Sequence, residues 1–373
     1  MYKRQGVAHK IDVLNSTLGT EDLDVSLSCN SHDSNSNDGN FGGDQALNPI
    51  DHADQTKVSR KKRNLNVLQS FRWFASMHII CYHFLAETGS SRWNSFALWG
   101  ATQLTFFFML SGFILAYQYG DTGIKNVGRF MFKRWARLYP TYLLSIILQV
   151  IVLPRIGIPV DSGPLLAVLF CVTTWTPRWF LNHINTPGWS VGAFMFQYLL
   201  FPALLKPIAR ARQSTRFKKL LPACWFYSIL QAGHAMGIDI SIVKPLNWIM
   251  LPPHTASFIA GIVLGCCFAF SEKTQSQGSS LPYFIQHHGL SVIVTLTILL
   301  FVFVPVKSVP SILYFWTSNG MFLPLMACFI WLGALETDCL LGNFITHKPF
   351  LVLGNVSFTL YILQACMFTY VRY

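Results

Sequence analysis

NLNVLQSFRWFASMHIICYHFL, residues Asn64 to Leu85, is a mostly apolar run long enough to cross a bilayer as a helix. Arg72 and His83 sit inside it, eleven positions apart. At about 100° per residue, eleven steps end within about 20° of three full turns. Both side chains therefore fall on one stripe, about 16 Å apart along the axis. His78 lies off that stripe. A lone histidine within a span is most simply a packing residue. An arginine on the same stripe reverses that preference, because buried charge in a span faces a polar cavity or a partner rather than lipid.

Working outward, the whole chain fits a membrane class. Its 373 residues are 52% hydrophobic and 12% charged, with mean hydropathy +0.40. Soluble domains carry about 25% charged residues. The formal charge of +12 does not point to nucleic acid, since the basic residues cluster in short segments between apolar runs, the pattern that orients membrane helices. The nine cysteines form no CxxC pair and no His/Cys cluster at metal spacing. Neither a disulfide framework nor a metal site is expected. The start, MYKRQGVAHK, leads into polar sequence, so a cleavable signal is not expected there.

The expected organisation is all-α: a polytopic transmembrane helix bundle of about nine to ten membrane helices plus a short re-entrant or interfacial helix. Residues 1–58 are a polar tail rich in Ser, Asn, Asp and Gly, with too little apolar surface to fold. Residues 59–373 form the membrane domain. Arg60-Lys-Lys-Arg63 before the first span predicts a cytosolic N-terminus. That orientation leaves the sequon at Asn15 unused. Later spans are expected at Phe96–Tyr119, Leu138–Leu153, Trp189–Lys206, Leu220–Met236, Thr255–Phe270, Ile285–Val306, Ile312–Leu335 and Phe350–Val371. Gly163–Trp175 is apolar but short. Reading it as interfacial or re-entrant keeps the basic, acid-free segment Lys206–Lys219 in the cytosol.

Three polar groupings can carry chemistry. Arg72 with His83 offers a cation and a base that works near neutral pH. Arg134 and Arg137, three apart on one helix face and preceded by Lys133, suit phosphate oxygens, because guanidinium forks bind them bidentately. Basic residues at a cytosolic boundary are also ordinary anchors. Ser111-Gly112, inside Phe106-Phe-Phe-Met-Leu-Ser-Gly-Phe113, is a small-residue step that lets backbones approach.

Together these pieces resemble the membrane-bound acyltransferase-3 family, which includes glycan O-acetyltransferases. The carriers of the likeness are Arg72 and His83 at R-x10-H spacing, Phe107-Phe-Met-Leu-Ser-Gly-Phe113 and Phe132-Lys-Arg-Trp-Ala-Arg-Leu-Tyr-Pro140. Thr186-Pro-Gly-Trp-Ser190, Tyr198-Leu-Leu-Phe-Pro202 and Leu353-Gly-Asn-Val-Ser-Phe-Thr-Leu-Tyr361 follow in order. Two positions depart: Phe194 stands where the family usually has Glu, and Gln364 where it has His. The helix that follows in the family is not in this sequence.

The resemblance implies an integral membrane O-acyltransferase. It would take an acyl group, acetyl most often, from cytosolic acyl-CoA (acetyl-CoA) to a hydroxyl of a carbohydrate or lipid acceptor. His83 would be base or acyl carrier, and Arg72 would position it or steady developing negative charge. Arg134 and Arg137, with Lys133, would hold CoA phosphates, and Ser111 and Gly112 would line the thioester path. The partners implied are the bilayer, acyl-CoA and the acceptor, with no nucleic acid and no metal. The alternative is an inactive or transporter-like member of the same scaffold, distinguished by solute movement without acyl-CoA binding.

Overall fold

The computed structural model describes residues 62–85, 92–175, 184–211, 217, 219–237, 254–274, 282–305, 317–335 and 340–372. The polar tail and the proline-bearing segment 246–253 lie outside these residues. From Leu65 onward the chain is one helical unit, and no strand occurs among the described residues.

Its helices, in order, are α1 (Asn66–Leu85), α2 (Arg92–Leu98), α3 (Gln103–Tyr119), α4 (Val127–Val152), α5 (Ser162–Leu169) and α6 (Trp189–Ala211). After these come α7 (Leu220–Gly237), α8 (Thr255–Thr274), α9 (Tyr283–Phe303), α10 (Leu323–Leu335), α11 (Leu340–Ile345) and α12 (Lys348–Arg372). Single 3-10 turns join α2 to α3 and precede α6.

Among the described residues, six stretches are long and apolar enough to cross a membrane: Ser95–Tyr119, Val127–Ile156, Thr186–Ala211, Thr255–Glu272, Phe284–Phe303 and Lys348–Met367. They make this an integral membrane protein. The expected nine to ten are not all reached by length and composition. α1 is not among the six, since Arg72 and its histidines dilute an otherwise apolar helix. The apolar helical stretches Leu220–Ile229 and Leu323–Leu335 are shorter. A kinked turn at Thr317–Met321, with Gly320 at φ +118°, precedes α10. The rest of the span expected from Ile312 falls on undescribed residues.

The third span begins eleven residues before its expected start. Asn126 caps α4 by accepting from the backbone N–H of Arg129 at 2.9 Å, satisfying one of the orphan donors of the first turn. Lys133, Arg134 and Arg137 are therefore helical, not part of a loop. The short apolar segment after α4 is helical over too few residues to cross a bilayer by itself. α5 runs for eight residues and then turns at Cys171, with φ +57°. Tyr142 and Tyr139 on α4 donate to the carbonyls of Val168 (2.8 Å) and Leu169 (3.1 Å), which takes up α5's terminal acceptors and pins it to α4.

The core is organised by α3 packed on α8. A Cβ at Gly112 would collide with the Phe258 carbonyl, and one at Gly261 with that of Met109. The two backbones thus touch through glycines, as membrane helices do. Phe106, Met109 and Phe113 fill one side of this contact, and Phe258, Ile262 and Cys266 the other. By contrast, α9 exposes Val292, Leu296, Leu299 and Phe303. With apolar side chains turned outward, α9 presents a face suited to lipid.

Candidate functional site

A partly open cavity of about 100 Å3 lies between α1, α3, α4, α6 and α12. Each helix contributes a stripe at helical spacing: Arg72 and Ser76; Leu104, Phe108, Ser111 and Leu115; Arg134 and Arg137; Ser190, Phe194 and Tyr198; Phe358 and Tyr361.

Three guanidiniums crowd one end. Arg72 is half-buried and has Arg137 and Tyr198 as electrostatic neighbours. Arg137 lines the cavity and is exposed along part of its length. Arg134 Nη2 donates to Tyr119 Oη at 3.4 Å, and its Cζ lies 5.4 Å from the centre of the Phe130 ring. Its Nε is buried without a hydrogen-bond partner. Among the described residues none of the three pairs with a carboxylate. Positive charge held this close without counter-ions attracts anions.

Hydroxyl groups line the walls beyond the arginines. Ser111 Oγ and Tyr198 Oη share a hydrogen bond at 3.2 Å. The Tyr361 hydroxyl reaches the Ser190 side chain. Ser76 Oγ is buried without a partner.

The other end is aromatic. Phe108 stacks on Phe194 at 4.3 Å and on His254 at 5.0 Å, and Trp189 lies 6.4 Å from His254. His254 sits behind the cavity wall and is not a lining residue. It is buried, immediately precedes α8 and holds φ +61°, a left-handed conformation that costs a non-glycine residue about 1–2 kcal/mol. Its Nδ1 has no partner among the described residues.

Of the residues singled out in the sequence, Arg72, Ser111, Arg134 and Arg137 meet in the cavity. Lys133, Gly112 and His83 do not line it. Lys133 is about 100° around α4 from Arg134. Gly112 is spent on the α3–α8 contact. His83 is half-buried, its ring 4.9 Å from that of Tyr82, and stands two turns beyond Ser76, about 10 Å along the stripe. His78 is a packing histidine: its nitrogens meet the Phe96 carbonyl at 2.7 Å and Gln103 Nε2 at 3.2 Å, and its ring stacks on Phe96.

Phe194, which departs from the Glu that the resemblance implies, forms part of the cavity wall. Gln364 is 1% exposed, and neither end of its amide has a partner among the described residues. Ser190, Tyr198 and Tyr361 stand in the motifs above with no role expected of them, and Ser76 and His254 stand in none of those motifs. Ser76 was within reach, four residues after Arg72 on the same stripe.

The sequence model of an acyltransferase domain matches residues 66–373. The chain belongs to this acyltransferase-3 family. Among curated relatives, an acyltransferase named MdmB from Streptomyces mycarofaciens is 29% identical over 148 residues, 36% of this chain and 38% of that protein. A protein called protein 2 in picA locus, from Rhizobium radiobacter, is 34% identical over 106 residues, 23% of this chain and 56% of that protein. The chain thus spans between about a third and somewhat over half of the length of these relatives. No solved structure matches. The family match runs through every helix that lines the cavity, so the site lies within the acyltransferase domain.

Proposed function

We propose that this protein is a membrane O-acyltransferase that uses acyl-CoA, most simply acetyl-CoA, to acylate a hydroxyl of a carbohydrate or lipid acceptor. The observation that carries this reading is the cluster of Arg72, Arg134 and Arg137 in one cavity with no carboxylate partner among the described residues. Such a cluster suits the phosphates of a CoA donor. In this reading Arg72 holds phosphate and does not touch the reacting carbonyl, because His83 is about 16 Å further along α1. The donor's extended arm spans that distance, and its thioester lies toward His83.

The reaction then asks for positioning and one proton acceptor. The acceptor oxygen attacks the thioester carbonyl carbon. His83 takes the hydroxyl proton, the C–S bond breaks, and the proton goes to the departing thiolate. Ser111 and Tyr198, already hydrogen-bonded, line the path between the phosphate end and the thioester.

Membranes holding the protein are incubated with acetyl-CoA labelled in the acetyl group. Label is expected in a hydroxyl-bearing product, as an ester released by mild alkali. If no acetyl group leaves CoA above the level of membranes without the protein, the reading falls.

A further inference from the structure

The guanidinium of Arg72 is aimed by two neutral carboxamides. Its Nη1 donates to Oε1 of Gln69, one turn earlier on α1, at 3.3 Å. The far end of the same amide, Nε2, donates to Oδ1 of Asn355 on α12 at 2.6 Å. An arginine has no acceptor atom, so the oxygen of Gln69 must be the end that faces it. Nε2 is then left for Asn355. The relay depends on close contact between the two helices. A Cβ at Gly354 would strike the backbone carbonyl of Gln69, so only glycine there lets α12 lie on α1 and bring Asn355 within reach.

The chemistry of the tether matters more than its existence. An arginine inside a membrane protein is commonly paired with a carboxylate. A carboxylate would hold Arg72 just as well, but it would compete with any incoming anion for the same charge. A carboxamide fixes direction and adds no charge. Most of the guanidinium's N–H donors remain for a ligand, and Arg137, its electrostatic neighbour in the cavity, is equally uncompensated.

We infer that Gln69 and Asn355 are positioning residues: a charge-neutral relay that orients Arg72 toward an oxyanion of the phosphate class in the cavity while leaving its charge unspent. This rests on the reading that the cavity takes a phosphorylated donor.

The test measures binding of CoA, and separately of inorganic pyrophosphate, to the purified full chain, together with thermal unfolding. Gln69→Glu keeps a hydrogen-bond acceptor for Arg72 but converts the tether to an ion pair. It is expected to weaken CoA binding about 10-fold or more without lowering the unfolding temperature, a split that a merely structural role does not produce. Asn355→Leu frees the amide to turn and is expected to weaken binding several-fold. Asn355→Asp keeps an acceptor for Nε2 and is expected to restore most of that loss. Wild-type affinity in Gln69→Glu, or equal weakening in Asn355→Leu and Asn355→Asp, overturns the relay. Binding of pyrophosphate without CoA overturns the donor reading alone, and the same variants then judge the relay with pyrophosphate. Binding of neither by the wild type sinks both.

Discussion

The two ends of the cavity are built from opposite materials. One holds Arg72, Arg134 and Arg137, cations with no carboxylate partner among the described residues, and the other holds Phe108 and Phe194 stacked on each other with His254 behind them. Along α3 the two are joined by Ser111, whose hydroxyl meets Tyr198. A charged end pulls in a ligand and fixes its register. An apolar end sizes what is left. The difference teaches that the two ends can be tested apart, because the stacked pair of Phe108 and Phe194 adds no charge to the wall it forms.

The largest effect expected lies beyond both ends. His83→Ala should lower the rate of acyl transfer by about 10³-fold with donor binding unchanged, because a positioned base contributes about 10²–10⁴-fold. Single-turnover rates with acetyl-CoA, beside a binding isotherm, check it. An unchanged rate returns His83 to packing and moves the proton acceptor into the cavity itself, toward the hydroxyl cluster.

Next comes the cationic end. Arg134→Ala with Arg137→Ala should raise the KM for acetyl-CoA about 100-fold and leave kcat nearly unchanged, since hydrogen bonds to charged groups contribute about 1.5–3 kcal/mol each. Donor saturation like that of the wild type makes these residues interface anchors and dissolves the contrast between the ends.

The aromatic end should answer in specificity. Phe194→Ala removes one ring of the stacked pair and enlarges the apolar end. The ratio of kcat/KM for propionyl-CoA to that for acetyl-CoA should rise about 10-fold, because one methylene in an apolar pocket is worth about 1–3 kcal/mol. An unaltered ratio places the acyl group elsewhere.

These two ends were unequally legible in the sequence. Arg134 and Arg137 could be paired from their spacing, since three residues on a helix share a face. Arg72 could be picked out as a costly charge within a span. Azimuth alone could not place His83, because two residues on one stripe can still be about 16 Å apart. Nor could it separate Ser111, which faces the cavity, from Gly112, about 100° away and packed on Phe258. The stack of Phe108, Phe194 and His254 joins three helices, and no periodicity within one helix reports such a meeting. The start of α4 was missed for a local reason. A run of basic residues reads as a loop, yet Asn126 caps a helix that carries them.

The smallest effect separates those two neighbours. Gly112→Ala points a methyl group at the Phe258 carbonyl, where the backbones of α3 and α8 already touch. Overpacking of this kind costs about 1–3 kcal/mol. The purified protein should therefore unfold at a lower temperature, while the KM for acetyl-CoA stays as in the wild type. Ser111→Ala should do the reverse: its side chain lines the cavity, so unfolding should change little and turnover should fall. If Gly112→Ala instead spares stability and impairs donor use, α3 is rotated in the working protein and the 111–112 step belongs to the site as a whole. The comparison of the two ends would then have to be redrawn around a wider passage, with α8 as one of its walls.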